Sequence, residues 1–255
     1  MALFIDGEVS NLADLAGQDS QLLDVASTEG IDVTRKLELA EEEIGLELIT
    51  LLSSSTSVDP PFWLVSRPNL GSVVATPAIK LWHAYRTLEM VYEDAYFSQL
   101  NDRYQGKRDQ FHEKAQRARE QVIQIGVGMA SDPIPRSAIP DLEAAPGSGL
   151  PDGTYYVATA WVNREGEEGA CAAPADITTS GSALVVHAGT APAPAAGWNV
   201  YIGTAPEALF LQNSTEIAPG DTWMQATAPA AQGKTPGDGQ RPSYFQPVPR
   251  AIQRG

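Results

Sequence analysis

Ser131-Asp-Pro-Ile-Pro-Arg136 is the stretch at which this 255-residue chain changes character. On its N-terminal side Leu, Glu, Arg and Gln recur at helical spacing. On its C-terminal side Gly, Pro, Thr and Ala surround short apolar runs. Length alone allows one large domain or two small ones, and a composition shift at a proline-rich junction favours two, joined near residues 131–140. The expected fold class is therefore α+β, with a helical domain over residues 1–136, a β-sandwich over 137–232 and an extended arm over 233–255.

Working outward on the N-terminal side, Val33, Leu37, Ala40, Ile44, Leu48 and Leu51 follow steps of three and four. That spacing puts them on one face of a helix over about 32–53, with Asp32 as its cap. A shorter helix over Leu12 to Val25 precedes it and breaks at Gly30. Ser53 to Ala75 reads as a long loop, because Pro60-Pro61, Pro68 and Gly71 interrupt every period. Thr76-Pro77 is a capped helix start with proline at the first helical position. Leu81, Tyr85, Leu88, Tyr92 and Ala95 continue it, and Leu100, Tyr104, Phe111, Ala115, Ala118, Val122 and Ile125 extend the stripe. The stripe reads either as two helices meeting near Ser98 to Asp102, the favoured reading, or as one very long bent helix, and Gly126-Val-Gly128 stops it. Amphipathic helices of this number form a small antiparallel bundle.

On the C-terminal side the period falls to two. Tyr155, Val157, Thr159 and Trp161 share one face of a strand, with Tyr156, Ala158, Ala160 and Val162 on the other. Asn163-Arg-Glu-Gly166 then turns the chain. Further strands are expected at Ile177 to Thr179, Ala183 to His187, Trp198 to Gly203, Ala208 to Asn213 and Thr222 to Thr227. Six or seven short strands in about 90 residues describe a β-sandwich.

Composition excludes several functions. Acidic residues number 32 against 17 basic ones, a formal net charge of −15. General nucleic-acid binders gain affinity by placing Lys and Arg on phosphates, so this balance speaks against one. Cys171 is the single cysteine, which removes an intrachain disulfide and a Cys-based zinc site. No apolar run approaches the roughly 18 residues of a spanning helix, and Met1 to Leu12 lacks the features of a signal peptide, so a soluble protein made inside a cell is expected. Phosphate-binding, dinucleotide, zinc-protease and nucleophile-elbow motifs are lacking. His83, His112 and His187 have no chemical partners nearby in sequence and read as surface or satisfied histidines. No catalytic residue, metal or cofactor is expected, and the chain does not read as an enzyme.

Two interaction features remain. Arg103, Lys107, Lys114 and Arg117, at spacings of four, seven and three, align as a basic stripe opposite much of the apolar face. Either it is a solvated face paired with Asp109, Glu113 and Glu120, or it meets an acidic partner or DNA. The second feature is the C-terminus, in which Pro242, Pro247 and Pro249 bar a helix or a central strand. Tyr244, Phe245, Val248 and Ile252 stand there among Arg241, Arg250 and Arg254. These are anchor types, which suit an extended arm docking on another subunit or protein.

The segment Ile79-Lys-Leu-Trp-His-Ala-Tyr-Arg-Thr-Leu88 through Tyr96-Phe-Ser-Gln-Leu-Asn-Asp-Arg-Tyr104, with Ile125-Gly-Val-Gly-Met129 and Asp132-Pro-Ile-Pro135, resembles the helical head-to-tail connector (adaptor) proteins of tailed bacteriophages. The likeness covers roughly residues 10–136. It implies a virion structural protein made in the host bacterial cytoplasm. Usually twelve copies form a ring under the portal and around the DNA channel, and their C-terminal arms engage the portal. The expected partners are thus the chain itself, the portal, downstream tail or neck proteins and passing DNA bound without sequence specificity, with no membrane. Gly153-Thr-Tyr-Tyr-Val-Ala-Thr-Ala-Trp-Val-Asn163 resembles the penultimate hairpin of fibronectin III or immunoglobulin-like modules, and Trp198-Asn-Val-Tyr-Ile-Gly203 an earlier strand. Their order implies a permuted topology. Twelve copies at −15 would carry about −180, a charge that repels DNA rather than grips it. Two other readings stand beside the connector: a tail, neck or fibre-attachment component of the virion, and a carbohydrate-binding module or enzyme accessory domain using Trp161, Trp198 and Trp223 as a platform.

Overall fold

The computed structural model describes residues 1–54, 69–99, 102–146 and 149–246, and has an α+β architecture with a helical region followed by a β-rich one. The chain divides into two compact units, one of residues 7–129 with 242 onward, the other of residues 1–6 with 130–241. The backbone therefore passes between units three times.

In the helical unit, α1 (Leu12–Gln18) opens on a capping box. The Asn11 side chain accepts the Asp14 N–H at 3.0 Å, and the Asp14 carboxylate accepts the Asn11 N–H at 2.9 Å. The single helix expected over 12–25 is two, because the Asp19 carboxylate takes the Gln21 N–H at 3.1 Å and turns the chain into α2 (Leu22–Glu29). Gly30, at φ 69°, then supplies the left-handed residue that ends α2. Asp32 does cap α3 (Val33–Ser54), accepting the Arg35 N–H at 3.1 Å. The α3 stripe is buried as expected except at its end, where Leu52 replaces Leu51.

Helix α4 (Pro77–Gln99) packs against α1, α2, α3 and α5 (Gln105–Ile125). Contact on so many sides explains a departure from the single expected stripe: Leu81 is exposed, while Ile79, Trp82, His83 and Ala84 are buried. A 3₁₀ turn, Asp102–Tyr104, leads into α5. The two long helices run antiparallel, joined by an aromatic ladder in which Tyr92 stacks on Phe111 with ring centroids 5.6 Å apart. Tyr85 meets the same ring from one side, and Tyr104 meets Tyr92 from the other.

Gly126, at φ 101°, stops α5, but the chain does not become a loop. Val127–Met129 forms β1, fully buried and paired antiparallel with β9 (Ser243–Phe245). Val73 bridges Met129 from the opposite side. A Cβ on Gly128 would lie 2.6 Å from Thr76 Cγ2 and 2.9 Å from Pro242 Cβ, so only glycine admits this close approach. Gly128→Ala is expected to cost about 2 kcal/mol, read as a shift in the urea midpoint; an unchanged midpoint would show that the strand pair relaxes freely.

The β unit holds two antiparallel sheets. One orders β4 (Ala175–Thr179), β3 (Gly153–Val162), β6 (Gly197–Gly203) and β7 (Phe210–Leu211); the other orders β2 (Asp141–Ala145), β5 (Ala183–His187) and β8 (Trp223–Gln225). One cluster of core residues draws on both: Tyr155, Val157 and Trp161 of β3, Leu184 and Val186 of β5, and Trp198, Val200 and Ile202 of β6. Trp161 sits directly opposite Trp198 across the strands. The other face of β3 is covered too, since Ala158 and Ala160 join Tyr201 and Leu209 in a second cluster. The strand expected over 208–213 shrinks to Phe210–Leu211, because the Gln212 side chain turns back to bond the Phe210 carbonyl (2.7 Å) and the Ala230 N–H (2.8 Å).

Candidate functional site

Lys107 and Lys114 of α5 do not stand opposite the apolar face; they flank it. Lys107 precedes Phe111 by four residues and Lys114 follows it by three, which makes both its neighbours on a helix surface. Their ammonium groups lie 5.8 and 5.0 Å from the centre of the Phe111 ring. Lys107 also donates to the buried Asp19 carboxylate at 2.8 Å, which in turn accepts the Tyr92 hydroxyl at 2.7 Å. Burial pushes the Asp19 carboxyl up, and the bonds from Lys107, Tyr92 and the Gln21 N–H outweigh it, holding the group below its ordinary value. Arg103 stacks over Tyr104 at 5.2 Å, and Arg117 pairs with Glu113 at 3.4 Å. Lys107, through Asp19 in the turn between α1 and α2, and Lys114, 5.3 Å from the centre of the Tyr85 ring on α4, thus tie α5 to its neighbours.

The C-terminal segment departs further from a free arm. Lys234 pairs with Glu168 at 2.9 Å, and the Leu211 N–H donates to the Lys234 carbonyl at 2.8 Å. Gln240 is buried: its side chain accepts the Ile134 N–H at 2.7 Å and donates to Glu167 at 2.8 Å, while its carbonyl accepts the Met1 amino group at 2.8 Å. Residues 233–241, with Arg241 exposed, therefore belong to the β unit, and 242–246 to the helical unit. β9 leaves Ser243 and Tyr244 (48%) exposed and buries Phe245 (7%), so Phe245 fills its own unit instead of a partner's pocket. Val248, Arg250, Ile252 and Arg254 lie outside the described residues. Gln240 and Asp19 were not legible as structural anchors, since their partners lie 106 and 88 residues away.

His83, on α4, is buried against α3. Its Nε2–H donates to the Leu37 carbonyl at 3.0 Å, and its Nδ1 accepts the Ser10 hydroxyl at 2.5 Å. Burial pushes its pKa below the usual 6.5, against smaller opposing effects of the Leu37 carbonyl and Asp14. The unfolded chain then takes up a proton that the folded one refuses, so stability is complete above about pH 6.5 and falls as pH drops, by at most about 1.4 kcal/mol per pH unit. His83→Gln is expected to flatten this slope between pH 6.5 and 5 in urea titrations. A slope identical to that of the parent chain would assign it to other groups.

His112 lies on a cleft of about 350 Å³ in the helical unit, where it contacts Glu89 at 2.6 Å. Arg86 joins Glu89 (2.8 Å) to Glu43 (2.9 Å), and Arg119 pairs with Glu47, so the charges of this cleft satisfy one another. Burial, reinforced by Glu168, pushes the Cys171 thiol up to about 12 and keeps it protonated and unreactive. Trp161 and Trp198 are buried and Trp223 packs against the same core, so these three do not form an exposed platform. Among the described residues no group of three or more His, Cys, Asp or Glu is placed to hold a metal, and no helix is long and apolar enough to cross a membrane. Comparison with protein-family models, with curated proteins and with solved structures finds no match.

Proposed function

We propose that the chain is a structural protein of a tailed-phage particle, a head-to-tail connector. On this reading the helical region forms an antiparallel bundle that packs side by side into a ring of twelve under the portal. The β unit is an immunoglobulin or fibronectin III-like sandwich with permuted strand order. Its partners are other copies, the portal and downstream tail proteins, and the channel passes DNA without sequence-specific binding. It performs no catalysis.

The observation that carries this reading is the anchoring of β9. The last described strand is clamped to β1 at a glycine-lined edge of the helical unit. The following residues, with Val248, Ile252, Arg250 and Arg254, therefore start from a fixed point, as an arm that joins neighbours in an assembly must. The two sheets sharing one core support the sandwich in the same way.

Purified chain mixed with the portal of its particle is expected to give rings on the portal's tail-facing side in negative-stain electron microscopy. Rings bound instead to isolated tails would favour the tail or neck reading, and the absence of binding to either would remove the virion role.

A further inference from the structure

We infer that the tail after β9, residues 247–255, of one copy docks in the groove between α3 and α4 of a second copy. The inference rests on the reading of the chain as a ring subunit and specifies which surfaces join one subunit to the next.

The groove, about 390 Å³, has an apolar floor of Leu39, Leu46 and Met90. Leu46 is 68% exposed on α3, a large side chain that the fold itself leaves uncovered. Its rim is acidic. Lys36 pairs with Asp94 at 2.5 Å and Arg86 with Glu43 at 2.9 Å, whereas Glu42 has Arg35 only at 3.7 Å. With Glu93 also on the rim, carboxylates outnumber cations along the groove.

The tail is the complement of this surface. From Gln240 to Gly255 the sequence has no acidic side chain, in a chain whose net charge is −15. Val248, Arg250, Ile252 and Arg254 alternate, so an extended backbone presents all four on one side. Two apolar groups can then meet the floor while two guanidinium groups meet the rim. Pro247 and Pro249 restrict the free tail and reduce what it loses on docking. Nine extended residues reach about 30 Å from β9, enough to cross to a neighbour.

A groove packed against its own equivalent would oppose acid to acid, which disfavours a two-fold contact through this face. A tail in a groove is instead a head-to-tail contact, and such contacts repeat from copy to copy until a ring closes.

The test uses full-length chains with the photo-crosslinking residue benzoylphenylalanine in place of Ile252, prepared in isotopically light and heavy forms, mixed and irradiated. Mass spectrometry of the digest should find crosslinks to α3 and α4 peptides that join light to heavy chains. Leu46→Asp with Glu93→Lys should reduce them about tenfold. Arg250→Glu with Arg254→Glu should do the same from the tail side, where the folded units are untouched. Mixing that tail variant with a Glu42→Lys, Glu93→Lys groove variant should restore the crosslinks. Crosslinks confined to one chain, crosslinks to other segments, or none would each overturn the inference. If portal-bound rings persist in that case, the connector reading survives without it; mixed-label crosslinks without portal binding would keep the tail contact and remove the connector.

Discussion

Truncation after Gln240 is expected to destabilise the helical unit by about 3 kcal/mol, whereas truncation after Gln246 should leave it within about 0.5 kcal/mol of the parent chain. The six residues between these cuts contain β9. Removing them strips β1 of its antiparallel partner, and β1 is buried, so its backbone groups would lose their hydrogen bonds in a place where water reaches poorly. The Phe245 ring leaves the core with it, and Gln246 no longer donates to the Gln124 carbonyl at the end of α5 (3.0 Å). Tyr244→Ala should cost little, because that side chain is half exposed, and Phe245→Ala should reproduce most of the loss. Urea unfolding followed by helical circular dichroism separates the cases. Equal midpoints for the two truncations would show that β9 adds nothing to the unit. A chain lacking only residues 247–255 should fold normally, which makes the shorter truncation the proper probe of any contact the arm makes.

Replacing residues 130–242 by a two-residue Asn-Gly turn, with residues 1–6 removed, should leave a helical protein that melts cooperatively. Deleting residues 148–229 alone should instead abolish most soluble protein. The reason lies in the pairing of β1 with β9. Met129 stands opposite Ser243, so the ends left by the first excision lie a cross-strand pair apart, the separation a type I′ turn closes. The β unit is in effect an insertion between the two arms of a hairpin. The second deletion leaves residues 1–6 and 230–241 behind without Glu168, Leu211 or the sheets they pack on, and exposes their apolar surface. Soluble yield and the sharpness of thermal melting report the difference. A non-cooperative product from the first excision would mean that the helical unit depends on the β unit for its fold.

Elements whose information is local were readable in advance. The α3 stripe, the Asp32 cap, Gly30 as a terminator, the alternation through β3 and the change of character at Ser131 each depend on residues within one or two turns or strands of one another. Trp161 lies on the core face of that alternation, and Trp198 stands opposite it in β6, a strand buried at every position. The three histidines offered no catalytic pattern, and His83 proved to be a core residue with both ring nitrogens bonded.

Other features had no local signature. β1 and β9 are three residues each, too short for any period, and they are strands because the fold lays them side by side. β2, Asp-Leu-Glu-Ala-Ala, reads as a polar segment until β5 offers it an edge. Lys107 looked like one of four residues of a solvated stripe because its partner, Asp19, is supplied by the turn between α1 and α2. Residues 233–246 looked like an arm because prolines exclude a helix, yet a segment barred from helices can still lie on a sheet edge, and tertiary contacts with Glu168, Leu211, Ile134 and β1 hold it there. The amino-acid sequence by itself determined the long helices α3, α4 and α5 and the strand β3, since caps, prolines and periodicity act within a few residues, but it showed neither the break between α1 and α2 nor the shortness of β7. Only the tertiary structure decided which distant groups meet, because a hydrogen bond or an ion pair across a hundred residues depends on the whole chain's path and leaves no mark on either neighbourhood.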